Sequence, residues 1–252
     1  MRSEYMLTDK DLGYFTKLAA PNLCNATKIR FFSMIEKRYK EAFERASDER
    51  KQKILEVGIE EFASKGYENA NINLIAKNAG ISIGLMYKYF STKEDLFVTC
   101  IEQGMLILSS TIDEIFKSDD KLLVKAEKLI RATCRQSRQN ANYIKLYNEI
   151  TSEHDSIRAE ILAQAIEGVS SKKYVKCITD ALANGDVRQD MDPRLFAFFL
   201  DNLLTSLQFS YVCDYYRNRF RIYTGVDVEE MSEEQIVRQL LKFIESAFTF
   251  EK

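Results

Sequence analysis

The chain has 252 residues, of which 46% are hydrophobic and 29% are charged, and its formal net charge at pH 7 is −2. This balance is ordinary for a globular protein, and no run of 18 apolar residues occurs, so we expect no membrane span. The sequence holds only two prolines and nine glycines. Because sheet-rich folds need many tight turns that use these residues, the composition favours long helices with short connections.

The charge is unevenly distributed along the chain. Residues 1–45 hold 9 basic and 6 acidic residues, residues 46–100 hold 7 and 8, and the remainder holds 20 and 24. Counterion release on nucleic acid is a local effect. A near-neutral net charge of the whole chain therefore does not exclude DNA binding. Binding depends instead on which surface the basic side chains of residues 46–100 occupy.

The first predicted element is a helical extension over residues 1–46. A helix can begin at Thr8 and end at Pro21, and a second helix then carries an apolar stripe at helical spacing. We expect the extension to pack against the protein through its aromatic side chains, which are Phe31, Phe32, Tyr39 and Phe43. The alternative is an arm that contacts DNA through its basic side chains, which are Lys28, Arg30, Lys37, Arg38 and Lys40.

Three helices are predicted within residues 47–92. Ser47 is a suitable N-cap for the first helix, and Asn71 is one for the second. Gly80 permits a sharp left-handed turn, after which Ser82 caps a third, short helix. Two short helices joined by a glycine turn form a helix-turn-helix, whose second helix enters the major groove of DNA.

This segment resembles the DNA-binding domain of the TetR family of bacterial repressors. The resemblance lies in the pattern GYxNANIxxIAxxAGISxGxMYxYFxxKEDL at residues 66–96, and residues 51–100 fit without a gap. It implies an all-α fold with a helix-turn-helix domain at 47–92 and a helical effector-binding and dimerisation domain at 93–252. Residues 1–46 are then an addition, since the family usually has only a short arm there.

The resemblance also places the DNA contacts. An amide at a helix N-terminus would meet phosphate, small residues allow close approach, and tyrosine hydroxyls and lysines bind the backbone. The expected set is Asn71, Ser82, Ile83, Gly84, Leu85, Tyr87, Lys88, Tyr89 and Lys93. For two of these residues a structural role is the alternative, since Ser82 can act only as a cap and Tyr87 can lie in the core.

Two positions depart from the family pattern. Ile83 stands where a polar or cationic residue is frequent, and Leu85 stands where threonine is frequent. Apolar side chains can contact thymine methyl groups but cannot read bases by hydrogen bonds. We therefore expect an A/T-rich operator that is bound with modest affinity.

The rest of the sequence predicts helices throughout. A long helix should begin at Ser91, which has Glu94 three residues later as in a capping box, and reach about residue 118. Asp192 followed by Pro193 is a strong helix start. The further helices are expected near 120–138, 141–153, 155–184, 193–219 and 232–249, with a loop over 221–231.

An effector pocket is implied by the resemblance and is consistent with the many aromatic residues near 196–223. Aromatic side chains with hydroxyl groups could line an apolar pocket for a small hydrophobic or aromatic effector. The candidates are Tyr143, Tyr147, Phe199, Phe209 and Tyr211. For any single one of them, core or dimer packing is the simpler interpretation, and His154 is expected at the surface.

A homodimer is expected because one helix-turn-helix reads too few bases, so that two would bind a pseudo-palindromic DNA operator. By resemblance, the last two long helices would form a four-helix interface with those of a second copy. The final helix has an apolar stripe suited to it. Its residues are Ile236, Leu240, Phe243, Ile244 and Phe248.

Enzymatic chemistry is poorly supported, since the chain has one histidine and no CxxC, HExxH or glycine-rich phosphate loop. We expect no cofactor and no metal. The five dispersed cysteines and the absence of a signal-peptide pattern predict reduced thiols in the cytoplasm. The remaining alternative is a helical TetR-like scaffold or sensor that no longer binds DNA.

Overall fold

The computed structural model describes residues 38–152 and 156–249. Those residues form eleven α-helices and one 3-10 turn. The first five helices are α1 (Glu41–Glu44), α2 (Asp48–Asn69), α3 (Ile72–Asn78), α4 (Ile83–Tyr89) and α5 (Lys93–Phe116). The others are α6 (Leu122–Gln139), α7 (Ala141–Thr151), α8 (Ser156–Ala183), α9 (Pro193–Val212), α10 (Asp214–Thr224), the 3-10 turn (Val228–Glu230) and α11 (Glu233–Phe248).

Helices α2, α3 and α4 surround a small apolar core. The side chains of Ile54, Phe62, Ile75 and Met86 are almost completely buried there. The predicted cap at Ser47 is confirmed, because its side chain accepts a hydrogen bond from the backbone N–H of Arg50. These caps and the burial pattern give the short helices α3 and α4 the tertiary support that isolated helices of this length lack.

Helix α2 is interrupted at Gly66. Gly66 has φ +68°, a left-handed conformation that side chains with a Cβ rarely adopt. The chain then resumes a helical turn as far as Asn69, so α2 is kinked at Gly66 rather than ended there.

Helix α5 begins one residue later than expected. Thr92, rather than Ser91, is the N-cap, and its partner in the capping box is Asp95 rather than Glu94. The Thr92 hydroxyl accepts from the N–H of Asp95, and the Asp95 carboxylate accepts from the N–H of Thr92, both at 3.0 Å. The helix contacts α2 along its first part and α6 and α8 farther on, so it joins the two halves of the fold.

The C-terminal half is a helical bundle with one apolar core, to which α5, α6, α8, α9 and α11 contribute. The helix predicted at 193–219 is two helices, because Cys213 has an extended backbone. The break leaves backbone carbonyl groups without a hydrogen bond inside the helix. The guanidinium of Arg217 donates to one of them, the backbone carbonyl of Tyr211. The predicted loop at 221–231 is shorter than expected, since α10 continues to Thr224.

Within the described residues, α9 is the one helix long and apolar enough to cross a membrane by length and composition. Its side chains Ala197, Leu200, Leu204 and Leu207 are buried in the core of the bundle. The packing of α9 against α6 and α8 makes it a core helix of this fold.

Candidate functional site

The turn between α3 and α4 has the geometry that the sequence predicts. Gly80 has φ +71°, and the N–H of Ile81 donates to the carbonyl of Ala76 at 3.0 Å. The Ser82 hydroxyl then accepts from the N–H of Leu85 at 3.2 Å, which starts α4. The two helices form a helix-turn-helix whose second member is α4.

One side of this unit carries most of the predicted DNA contacts at the surface. Asn71 caps α3, because its side-chain oxygen accepts from the N–H groups of Asn73 and Leu74. The exposed residues of the predicted set are Asn71, Ser82, Ile83, Gly84, Tyr87 and Lys88. They combine small residues at the start of α4, an aromatic hydroxyl and a cation, which together suit close approach to a phosphate backbone.

The structure places three predicted contacts elsewhere. Tyr89 is only 4% exposed, because it lies one turn after the buried Met86 and shares its inward face. The ring of Tyr89 packs against that of Phe43, with centroids 5.5 Å apart. Tyr89 is therefore a core residue in this structure, and Leu85 is half-buried.

Lys93 is also held by the protein itself. Its ammonium group donates to the carbonyls of Glu68 at 3.0 Å and Ala70 at 3.3 Å, and it lies 4.7 Å from the ring centroid of Tyr67. Those carbonyls are left open at the end of α2, so the cation satisfies them. In this structure the role of Lys93 is to join α2 to α5.

The segment just before α2 contacts α4, and sequence reasoning missed the polar part of this contact. The N–H of Lys40 donates to the carbonyl of Tyr89, and its ammonium group donates to the carbonyl of Tyr87 at 2.9 Å. Phe43 is buried against Phe90, with ring centroids 4.7 Å apart. Lys40 and Phe43 therefore pack on α4, whereas residues 1–37 of the predicted extension lie outside those described.

A cavity of about 80 Å³ lies inside the C-terminal bundle. Its walls come from α5, α6, α7, α8 and α9, and every side chain that lines it is uncharged. They are Thr111, Ile112, Leu129, Ala132, Thr133, Gln136, Asn140, Tyr143, Ile144, Tyr174 and Gln208, with Gly104 completing the wall. Among the five predicted effector residues, Tyr143 is the one that lines this cavity.

The other four predicted effector residues have different surroundings. The Tyr147 hydroxyl donates to the Glu167 carboxylate, and its ring lies 5.4 Å from that of the buried Phe209. The Tyr211 hydroxyl accepts from Arg138 at 3.3 Å. Phe199 is 53% exposed on the outside of α9, so it does not line an interior pocket in this structure.

Two polar groups near the cavity have strongly shifted pKa values. Burial, and then the charge of Glu167, raise the pKa of Asp201 to about 7. Burial raises the pKa of Tyr174 well above its usual range, and Asp201 and Glu167 add to this effect. Neither residue was selected from the sequence, because no local pattern shows that α8 and α9 bring them together.

The predicted dimer stripe on α11 is only partly accessible. Ile236, Ile244 and Phe248 are buried in the core of their own protomer, so they cannot contact a second copy unless that core opens. Phe243 is 61% exposed and Leu240 is half-buried. Helix α9 also carries three exposed apolar side chains, which are those of Leu195, Phe198 and Phe199.

No group of three or more histidine, cysteine or acidic side chains that could hold a metal ion occurs within residues 38–152 and 156–249. The predicted surface position of His154 lies outside the described residues. The thiols of Cys100, Cys134, Cys177 and Cys213 are free and buried. Burial raises the pKa of Cys213 to about 11 and also raises that of Cys100, which keeps both thiols protonated.

Comparison with known proteins agrees with this architecture. The model of the family described as bacterial regulatory proteins, tetR family, matches residues 54–100. The HTH-type transcriptional regulator YhgD of Bacillus subtilis is 26% identical over 172 residues, which are 66% of this chain and 85% of that protein. The HTH-type transcriptional repressor SCO4008 of Streptomyces coelicolor is 28% identical over 144 residues, which are 54% of this chain and 71% of that protein.

A solved structure shows the same fold over most of the chain. The transcriptional regulator FadR from Bacillus subtilis, in complex with stearoyl-CoA, has a TM-score of 0.61 at 17% identity, over 77% of this chain and 97% of that one. The helix-turn-helix, the helical bundle behind it and these similarities lead to one conclusion. Residues 54–100 carry a DNA-binding domain of the TetR family, and the chain is similar over more than half of its length to HTH-type transcriptional regulators.

Proposed function

We propose that this regulator is a dimeric repressor, and that a small, largely apolar effector held in the C-terminal bundle releases it from its operator. The observation that carries the proposal is the position of α7. This helix lines the interior cavity through Tyr143 and Ile144 and also packs along α2 of the helix-turn-helix domain. A ligand that enlarges the cavity would displace α7. This movement would reorient the reader, which is the helix-turn-helix of α3 and α4.

The DNA contacts are proposed for the exposed side of α3 and α4. Asn71, Ser82 and Gly84 would lie against phosphates, and Tyr87 and Lys88 would donate to them. Ile83, which is exposed at the start of α4, would contact base edges. Because an apolar side chain can contact the thymine methyl group, the proposed operator is A/T-rich.

The dimer is proposed to form through α9 and α11. The exposed side chains Leu195, Phe198, Phe199 and Phe243 replace the buried residues of α11 that the sequence suggested. Exposed apolar side chains of this size are typical of interaction surfaces when they lie together, as Phe198 and Phe199 do. Two readers held in this way could bind the two half-sites of a pseudo-palindrome.

Two relatives support the proposal, one for repression of transcription and the other for binding of an apolar ligand. SCO4008 is a transcriptional repressor by name, and FadR was solved with stearoyl-CoA bound. In this chain the interior cavity of about 80 Å³ is far smaller than a long acyl chain requires. An effector that occupied this cavity would open the bundle as it binds, and that movement would supply the displacement that release of DNA needs.

The substitution Gly104→Ala tests the coupling without knowledge of the effector. A Cβ atom at residue 104 would lie 2.9 Å from Cδ1 of Tyr143, which forces α5 and α7 apart. We expect operator affinity to fall by about tenfold, or about 1.4 kcal/mol. It would be measured by fluorescence anisotropy on a site recovered from random duplex DNA.

The control is the double variant Gly104→Ala, Tyr143→Ala, which removes the ring that the new methyl group meets. It should recover most of the lost affinity. Thermal unfolding of both variants shows whether the fold is intact. An unchanged affinity in a folded Gly104→Ala protein would contradict coupling through α7.

A further inference from the structure

We propose that the effector is an unbranched, uncharged amphiphile that passes the ring of Tyr143, so that its tail lies in the interior cavity and its polar end lies in a groove against α2. This inference rests on the proposed function and names the chemical class of the ligand that the same domain would take. Such a ligand would link the interior of the bundle to the helix-turn-helix domain by direct contact.

The groove lies between the helix-turn-helix domain and the bundle and has a volume of about 980 Å³. One part of its wall is formed by α1 and by the residues Gln52, Leu55 and Ile59 of α2. The rest is formed by α5, which contributes Thr99 and Leu106, and by the junction of α6 and α7. The groove therefore offers apolar as well as polar contacts to a ligand.

Two residues separate this groove from the interior cavity of the bundle. Among the described residues, Asn140 and Tyr143 line both spaces. Asn140 is the single residue between α6 and α7, and its amide group donates to the side-chain oxygen of Gln136. The two spaces therefore adjoin at this junction, where Asn140 and Tyr143 stand between them.

Tyr143 is the movable part of this wall. Its side chain is half-buried and lies directly on α5, where a Cβ atom at Gly104 would be 2.9 Å from its Cδ1 atom and 3.6 Å from its Cε1 atom. Asn140 is held by its hydrogen bond to Gln136, whereas packing on Gly104 positions the ring. A change of the Tyr143 side chain to another rotamer would join the cavity to the groove.

The joined space fits a chain-like ligand. The interior cavity alone has about 80 Å³, whereas the groove has about 980 Å³, so a longer ligand can be held only if it extends past Tyr143. Because the opening left by one aromatic ring is narrow, an unbranched chain passes it more easily than a fused ring system does. The uncharged wall of the cavity suits the apolar end of that chain.

The charged side chains of the groove favour an uncharged head group, because those in the described residues already interact within the protein. Arg138 pairs with Glu229 of the 3-10 turn at 3.4 Å and with Glu233 of α11 at 3.2 Å. The other engaged residues are Glu44, Asp48, Lys51, Glu56 and Glu102. An ionic head group would lose its hydration without gaining a free counter-charge, whereas a hydroxyl group needs only a hydrogen bond.

A polar end in the groove would act on α2 directly. Gln103 of α5 and Gln139 and Asn142 of the α6–α7 junction line the groove and offer uncharged hydrogen-bonding groups. A ligand held by them would fill the space between α2 and α5. It would thereby shift the helix-turn-helix domain against the bundle, which is the movement that release of DNA requires.

Isothermal titration of the full-length protein with hexan-1-ol, octan-1-ol and decan-1-ol tests the length of the site. If the chain extends past Tyr143, we expect affinity to rise by about fourfold with each added methylene group over the whole series. Affinity that levels off after hexan-1-ol would confine the ligand to the cavity and overturn the proposal. An absence of decan-1-ol binding to the folded protein would overturn it as well.

The head group is tested with decanoate and decylamine at pH 8, which have the same chain length as decan-1-ol. We expect each ion to bind at least tenfold more weakly than the alcohol. Equal or tighter binding of either ion would overturn the assignment of an uncharged head group.

A variant of the groove locates the chain. Leu106→Ala removes an exposed side chain of the groove wall, and it should weaken decan-1-ol severalfold while it leaves hexan-1-ol unchanged. The matched control is Ile222→Ala, which removes an exposed apolar side chain of α10, and it should bind both alcohols as the wild type does. If Leu106→Ala bound decan-1-ol with unchanged affinity, the chain would not enter the groove.

Variants of the ring test the passage itself. Tyr143→Ala removes the ring that the chain must displace, so decan-1-ol should gain severalfold more affinity than hexan-1-ol does. Tyr143→Phe keeps the ring and should behave as the wild type does. Equal changes for the two alcohols in a folded Tyr143→Ala protein would make the ring an ordinary part of the cavity wall and overturn the proposed passage.

An operator titration with each alcohol present separates this inference from the proposed function. If decan-1-ol binds through Leu106 and Tyr143 but leaves operator affinity unchanged, the ligand site stands and the proposed release of DNA fails. If an ionic or branched compound releases DNA while decan-1-ol does not bind, the proposed function stands and this inference is overturned.

Discussion

The helix-turn-helix domain and the C-terminal bundle satisfy their polar groups in different ways. In the first domain, Ser47, Asn71, Ser82 and Thr92 each cap a helix start. The bundle instead buries an extensive apolar core, and Tyr174 and Gln208 line a cavity within it. The helix-turn-helix is therefore held largely by local caps, whereas the bundle is held by contacts between helices that are remote in sequence.

The same difference decides what the sequence could predict. The helix-turn-helix is local: its caps, its glycine turn at Gly80 and its inward-facing residues all lie within a few turns of one another. The motif at residues 66–96 therefore identified both the unit and most of its exposed residues. The contacts of Tyr89 and Lys93 within the protein could not be predicted, because their partners, Phe43 and the end of α2, are remote in sequence.

The bundle was predictable only in outline. Helical periodicity gave its helices, but not the break at Cys213 or which stripe of α11 faces inward. The buried Ile236 and the exposed Phe243 are both apolar, and only the packing of α6 and α9 distinguishes them. The effect of the Glu167 charge on the pKa of Asp201 depends on how α8 and α9 meet, which no local signal encodes.

The largest expected effect is a loss of stability when the apolar packing behind α4 is removed. Phe43→Ala removes a buried ring that packs against Tyr89 and Phe90. We expect a loss of about 3–5 kcal/mol in unfolding free energy, as is usual for buried aromatic side chains. Chemical denaturation measures this loss. Leu74→Ala, at an exposed position of α3, is the control and should change stability by less than about 0.5 kcal/mol.

The next effect concerns the exposed aromatic side chains of the bundle. Phe198→Glu places a charge on the proposed dimer surface, and we expect monomers together with about a hundredfold loss of operator affinity, or about 2.7 kcal/mol. Light scattering and anisotropy measure the two quantities. Tyr223→Glu alters a still more exposed aromatic side chain of α10, and this variant should remain dimeric. A dimeric Phe198→Glu protein would place the interface elsewhere.

The Asp201 carboxyl of the bundle should make stability depend on pH. The pKa of Asp201 is raised from 3.8 to about 7, so the folded protein holds this proton more tightly than the unfolded chain does. The stability that this group contributes is complete below about pH 4 and is lost as the pH rises through 7. Asp201→Asn should therefore become more stable relative to wild type by about 1–2 kcal/mol between about pH 5 and 8.

Denaturation of both proteins across this range provides the measurement. Asp180→Asn, which alters an exposed acid of α8 that pairs with Lys176, is the matched control and should follow the wild type at every pH. A constant difference between Asp201→Asn and the wild type would show that Asp201 is solvated in the folded protein.

The smallest effect distinguishes the two lysines of the reader. Lys88 is exposed on α4, so Lys88→Gln should reduce the salt dependence of operator binding by about one unit of log–log slope per subunit. Lys93 is occupied by the carbonyls of Glu68 and Ala70. Lys93→Gln should lower thermal stability and leave the slope unchanged. The reverse pattern would restore Lys93 as a phosphate contact.

Selection of binding sites from random duplex DNA by the full-length protein tests the central claim most directly. If two copies read DNA through the exposed face of α4, with Ile83 against the bases, the selected sites should be pseudo-palindromes with A/T-rich half-sites about one helical turn apart. Binding to them should weaken steeply as salt increases. Enrichment of G/C-rich or asymmetric sites, or no enrichment at all, would contradict this account.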